Sequence, residues 1–234
     1  FISEHNDGYK FNKNDIICVN DLKGMVLPHA GTEYTKHILN HTLRFKPNSY
    51  FNKILILYLP SNQTENVDDK EDNKSYFHEY YVPWKSLSHV MKHHWDMKKL
   101  SKPSNFIGYN VHSNKPFPKI NFKRTFIVIS ADFSHHLPLQ EAIEKENCAA
   151  HALMQQFYKP SCTEVVDDMR TFRYLYEKPK FKALNLQLQW IGRTRSPGKK
   201  GVGYLSFLLR TKPSPKRHKP QGMFITAYDV DMRQ

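Results

Sequence analysis

Phe126-Ile127-Val128-Ile129-Ser130-Ala131-Asp132-Phe133-Ser134-His135-His136 is an apolar, β-branched run that stops abruptly at Ser, Asp and two His residues. It reads as a strand buried on both faces, with a polar loop opening at its carboxyl end. Open α/β sheets build their sites at that edge. Cys148 follows twelve residues after His136, so His, Asp and Cys side chains reach one region of the chain.

Two further strands are predicted upstream. Gly24-Met25-Val26-Leu27 runs into the turn Pro28-His29-Ala30-Gly31, and Lys53-Ile54-Leu55-Ile56-Leu57-Tyr58-Leu59 is closed by Pro60-Ser61-Asn62-Gln63. Between them Tyr34, Ile38, Leu39 and Leu43 fall at helical spacing, with Thr32 as the expected N-cap. Strand, helix and strand in that order predict a parallel pair joined by a crossover. Residues 65–75 lack an apolar period and read as a solvated loop. The aromatic density of Tyr76 to Val82 reads as a strand, and Trp84 to Leu100 as a helix. That helix would place His89 and His93 one turn apart, as a metal clamp requires, but Lys92, Lys98 and Lys99 oppose a cation there.

Pro103 to Lys123 reads as irregular because Pro116 and Pro118 break any regular element. Pro138 to Tyr158 reads as a helix carrying Cys148 and His151, and Glu164 to Tyr176 as another. Leu184 to Ile191 and Val202 to Leu209 read as paired strands across a basic turn, Gly192 to Gly201. Residues 210–222 form a basic, proline-rich loop or arm, and Met223 to Tyr228 reads as a last short strand. Residues 1–20 read as a polar extension with a short edge strand, Ile16 to Val19.

The 234 residues suit a single domain of 1–234, with 39% hydrophobic residues and a mean hydropathy of −0.66. No apolar run is long enough to span a bilayer. The chain opens on Phe with no charged-then-apolar leader, which predicts a trimmed or processed product. A net charge of +13 points to an anionic partner, and Lys212, Lys216, Arg217 and Lys219 in the arm are the best candidates for gripping an acidic protein or, second, nucleic acid. The abundance of Lys, Asn and Tyr is what an AT-rich genome such as that of a large DNA virus or a protist produces. Cys18, Cys148 and Cys162 have no zinc-finger or redox-motif spacing, so free thiols in a reducing, intracellular setting are expected. No dinucleotide or Walker-type phosphate loop is present.

Several separated pieces resemble one family. Pro28-His29-Ala30-Gly31 is similar to the turn after the first strand of Memo proteins, which share the fold of class III extradiol dioxygenases, and Ser130-Ala131-Asp132-Phe133-Ser134-His135 resembles that family's Ser-Ser-Asp-Phe-x-His segment. Asn147-Cys148-Ala149-Ala150-His151 resembles its Cys-x-x-His helix start; Tyr81-Val82-Pro83-Trp84 and His112-Ser113 match less specific positions. The resemblance implies an α/β fold with a mostly parallel central sheet flanked by helices, and a strand-end pocket that binds iron or copper. Carried over by position, His29 and Cys148 are metal ligands and Asp132 and His135 match the neighbouring pocket residues; His135 would stand in as a third ligand, and Asp132 and His135 are the candidate catalytic pair. His151 would line the pocket. Where the family has His after the second strand, this chain has Asn62 and Gln63, and an amide oxygen is a weak ligand beside imidazole or thiolate. Two readings follow: a degenerate, pseudoenzyme-like binding or structural module of a protein assembly, and a metal-dependent redox protein using His29, His135 and Cys148.

Overall fold

A computed structural model describes residues 13–61, 77–156 and 160–211. In chain order these form β1 (Ile17–Val19), β2 (Leu22–Leu27), α1 (Thr32–Leu43), β3 (Phe45–Pro47), β4 (Lys53–Tyr58), α2 (His78–His93), β5 (Phe106–Asn110), β6 (Thr125–Ser130), α3 (Leu139–Met154), α4 (Pro160–Thr163), α5 (Met169–Glu177), α6 (Pro179–Lys182), β7 (Gln187–Arg195) and β8 (Gly203–Arg210). Six strands build one sheet in the order β5-β4-β6-β2-β8-β7, while β1 and β3 pair separately. The first four strands of that sheet run parallel; β8 is antiparallel to β2, and β7 to β8. The chain is thus mixed α/β, with helices covering a mostly parallel central sheet.

Strand alternation divides the core into two layers. Val26, Leu55, Leu57, Ile127, Ile129 and Phe207 share one cluster with Phe133, Leu153 and Phe172, on the face covered by α3 and α5. Met25, Leu27, Ile54, Ile56, Val128 and Leu208 face the opposite way, into a cluster with Leu39, Leu87, Val90 and Trp95 from α1, α2 and the segment after it. Central strands covered on both faces explain the continuous apolar runs of β4 and β6.

Five sequence expectations change. Of the strand expected over Tyr76 to Val82, the described residues form none: His78 onward opens α2, because Tyr80, Pro83, Leu87, Val90 and Met91 supply a buried helical stripe. The helix expected to reach Leu100 ends at His93. Within 103–123, Phe106–Asn110 is a strand, β5, paired with β4; Gly108 admits it beside α2, since a Cβ there would lie 2.8 Å from the Tyr80 ring. β2 and β4 are not neighbours, because β6 lies between them. Helix α1 starts at Thr32 with Gly31 as its N-cap, so Thr32 does not cap it.

Smaller differences complete the comparison. The expected helix from Glu164 begins only at Met169 as α5. Arg193 and Arg195, expected in a turn, lie in β7 and are 6% and 4% exposed. Ile17–Val19, expected within a terminal extension, pairs with β3. The Met223 to Tyr228 strand and the 65–75 loop lie outside the described residues. Among the described residues no helix is long and apolar enough to cross a membrane.

Candidate functional site

Parallel register puts the two motif loops side by side. Leu27 at the end of β2 pairs with Ser130 at the end of β6, so His29 and Asp132 each emerge two residues further on, at the same level. Ala131 N–H donates to Leu27 O at 3.0 Å, and Asp132 Oδ1 accepts the His29 backbone N–H at 2.9 Å. Both side chains are buried, at 4% and 2% exposure.

The imidazole of His29 has its tautomer set by Ser130. Pro83 lies inside α2 and carries no N–H, so the Glu79 carbonyl four residues earlier has no helical donor. Ser130 Oγ donates to that carbonyl at 2.5 Å and therefore accepts from His29 Nδ1 at 3.0 Å. Nδ1 therefore carries a proton in the neutral ring, and Nε2, which takes the second proton when the ring is charged, faces carboxylates: Asp167 Oδ2 at 3.3 Å and Asp132 Oδ2 at 3.5 Å. Asp168 Oδ2 lies 3.5 Å from Nδ1. On the other flank, Glu79 Oε1 accepts the Ser61 N–H and hydroxyl at 2.9 and 2.7 Å, with His78 Nε2 at 3.3 Å; the His78 ring stands edge-on to His29 at 5.4 Å.

Four carboxylates therefore surround one buried imidazole. Burial alone would lower the His29 pKa, but Asp132, Asp167, Asp168 and Glu79 outweigh it and raise the value to about 10. For Asp168 burial dominates: its carboxyl is pushed up to about 8 against the pull of His29, with Asp167, Asp132 and Glu79 adding repulsion. Asp167, more open, has burial overcome by its hydrogen bond to His29 and by the nearby charges of His135 and His78, which hold it below the usual carboxylate range. Asp168 Oδ2 is buried with no hydrogen-bond partner, an orphaned polar atom that a bound cation would satisfy once the carboxyl ionises.

Among the described residues two sets of ligand atoms lie close enough to share one ion, His29 with His78 and Glu79, and His29 with Asp167 and Asp168. Neither includes Cys148 or His135. Cys148 on α3 is disulfide-bonded to Cys162 on α4, which corrects the expectation of free thiols and withdraws the thiolate from the ligand set implied by the resemblance; Cys18 remains free and exposed. His135 is turned back on its own loop, Nδ1 donating to Phe133 O at 2.7 Å. His151 is exposed on α3, its ring 6.4 Å from that of Trp190. Asn62, Gln63, Lys212, Lys216, Arg217 and Lys219 lie outside the described residues.

His78, Glu79, Asp167 and Asp168 escaped the sequence reading. The first two were hidden by the strand-like look of their neighbours, and the second two by an expected helix running through them. The adjacent acids after Val165-Val166 carry the one available signal, a charged pair flanked by apolar residues. No protein-family model and no curated protein matches the chain.

Proposed function

We propose that the chain is a divergent Memo-like protein whose strand-end cluster binds a divalent metal ion through His29 Nε2, Asp167 and Asp168, with His78 and Glu79 as the adjoining donors. The observation that carries this is the buried Asp168 Oδ2, without a hydrogen-bond partner, in a cluster with four carboxylates to one His29 imidazole. The meeting of His29 and Asp132 across β2 and β6 supports the family resemblance on its two most specific motifs. Imidazole and carboxylate donors suit iron(II), manganese or zinc, and without a thiolate the case for copper weakens. A bound ion of this kind supplies a Lewis acid for an oxygen ligand. Ser130 fixes the ring of His29, and Asp132 anchors its backbone. Iron bound by this set would supply the redox couple that the oxidoreductase reading needs.

The second reading, a degenerate binding module that grips an acidic protein through the basic arm, is favoured by the loss of Cys148 to a disulfide. The same disulfide supports an oxidising setting over the cytoplasm. Calorimetric titration of tag-free, chelator-stripped protein with Mn²⁺, Fe²⁺ and Zn²⁺ separates the two readings. About one equivalent is expected in the wild type and in a His89→Ala, His93→Ala variant that removes the surface pair, and none in His29→Ala. Uptake below about a tenth of an equivalent by the wild type sinks the metal site and leaves the binding module.

A further inference from the structure

We infer that the Cys148–Cys162 disulfide is a redox latch that holds the two aspartates of the metal cluster in place, an inference that rests on the metal-binding reading above. The bond joins α3, which packs on β7 and β8, to α4 across a Cα separation of 5.7 Å. From Cys162 the chain needs only six residues to reach Asp168. That segment is a tight turn: Val165 N–H donates to Cys162 O at 3.4 Å and Val166 N–H to Thr163 O at 3.1 Å. At its far end Asp167 N–H donates to Asp132 O at 3.1 Å. Asp167 and Asp168 are thus set by a covalent anchor on α3 at one end and by backbone hydrogen bonds, that to Asp132 among them, at the other. Asp168 relies on this placement, because its buried Oδ2 makes no hydrogen bond that would hold it.

The two sulfurs differ in access. Cys162 is 3% exposed, whereas Cys148 is half-buried, so of the two residues Cys148 is the more open to attack by an external thiolate. A dithiol reductant attacks there: the S–S bond breaks, a mixed disulfide forms, and the Cys162 thiolate leaves and takes a proton. The second thiol of the reductant then releases Cys148 as a thiol and closes the reductant's own disulfide. Two electrons and two protons pass from the dithiol to the protein, the α3 anchor is lost, and the cluster keeps its residues but not their fixed spacing.

The test uses Mn²⁺, a poor thiolate binder, so that the freed sulfurs do not create a competing site. Affinity is measured for the oxidised protein, for protein reduced with dithiothreitol and desalted anaerobically, and for a Cys148→Ala, Cys162→Ala variant. Both disulfide-free forms are expected to bind about tenfold more weakly than the oxidised form, with faster amide exchange across residues 163–168. Equal affinity in all three overturns the latch while the metal site stands, as does tighter binding after reduction. Absence of uptake by the oxidised protein overturns the metal site and the latch with it. Amide exchange in the reduced wild type decides the matter should the double variant not fold: unchanged protection at 163–168 refutes the latch.

Discussion

Replacing Asp168 by Asn should stabilise the metal-free protein and abolish its gain from metal. In the unfolded chain this carboxyl ionises at its ordinary value of 3.8, and in the fold burial lifts that to about 8. The folded state holds the proton more tightly, so stability falls as pH rises between the two values. Integrated to pH 8, the loss has an upper bound of roughly 5 kcal/mol; at pH 4.5 it is about 1 kcal/mol. Local relaxation softens burial, so we take about half: 2–3 kcal/mol in favour of Asn at pH 8. For a chain of this length that is a rise in Tm of about 4–12 °C. Urea unfolding in excess chelator at pH 8 and pH 4.5 measures it. With metal at about 1,000 times Kd the order reverses, since the wild type gains about 4.1 kcal/mol and the variant loses that gain. A variant less stable than wild type in chelator at pH 8, or a difference that does not shrink toward pH 4.5, refutes the electrostatic reading of the cluster.

His41 provides a pH test away from the cluster. Its Nε2 donates to Ile191 O at 2.7 Å while Nδ1 accepts from Arg44 Nη2 at 2.9 Å, a pattern only the neutral ring can make. Burial first, then the Arg44 charge, lowers its pKa, although the Ile191 bond opposes them. The stability it contributes is present above the ordinary value of 6.5 and is lost as pH falls through the lower folded value. His41→Gln should flatten urea stability between about pH 7 and pH 5; an unchanged slope refutes the assignment. Glu146 accepts from Ser134 and Arg193 in a buried pair beside Arg195. Glu146→Gln leaves two buried guanidinium groups without their carboxylate and should cost about 3–5 kcal/mol. A loss under about 1 kcal/mol, or one that vanishes in about 0.5 M salt, shows the pair to be effectively solvated.

The parts of the fold that were legible share one property: their local pattern and their tertiary environment agree. β4 and β6 are buried on both faces and read as unbroken β-branched runs; Pro28 to Gly31 reads as a turn because Pro and Gly dictate it. α2 failed because its first turns are aromatic and contain Pro83, both strand-like or breaking signals, while the packing that decides the matter comes from Tyr58, Phe106 and Gly108 far along the chain. β5 is five residues between prolines, and pairing with β4 rather than its own sequence makes it a strand. Of the candidate site, His29 and Asp132 were legible through their motifs. Asp167 and Asp168 were not, since their position follows from how α4 packs on α3 and α5 on β6. Cys148 was assigned to a metal by position in a motif; its pairing depends on α4, whose four residues have no periodic signature.

Pro83 couples positions 83 and 130 through the Glu79 carbonyl. A residue with an N–H at 83 would complete the α2 ladder and take the Glu79 carbonyl for itself, leaving the Ser130 hydroxyl free to turn and the ring of His29 free to change tautomer. A serine lost at 130 would instead strand the carbonyl that the proline has already deprived of its helical donor. The two substitutions are therefore epistatic, each harmful in the background of the other's retention and nearly neutral together as far as α2 is concerned. Across chains that keep this sheet the pair should covary, and a proline that reads as a helix defect marks which of them still hold His29 in one tautomer.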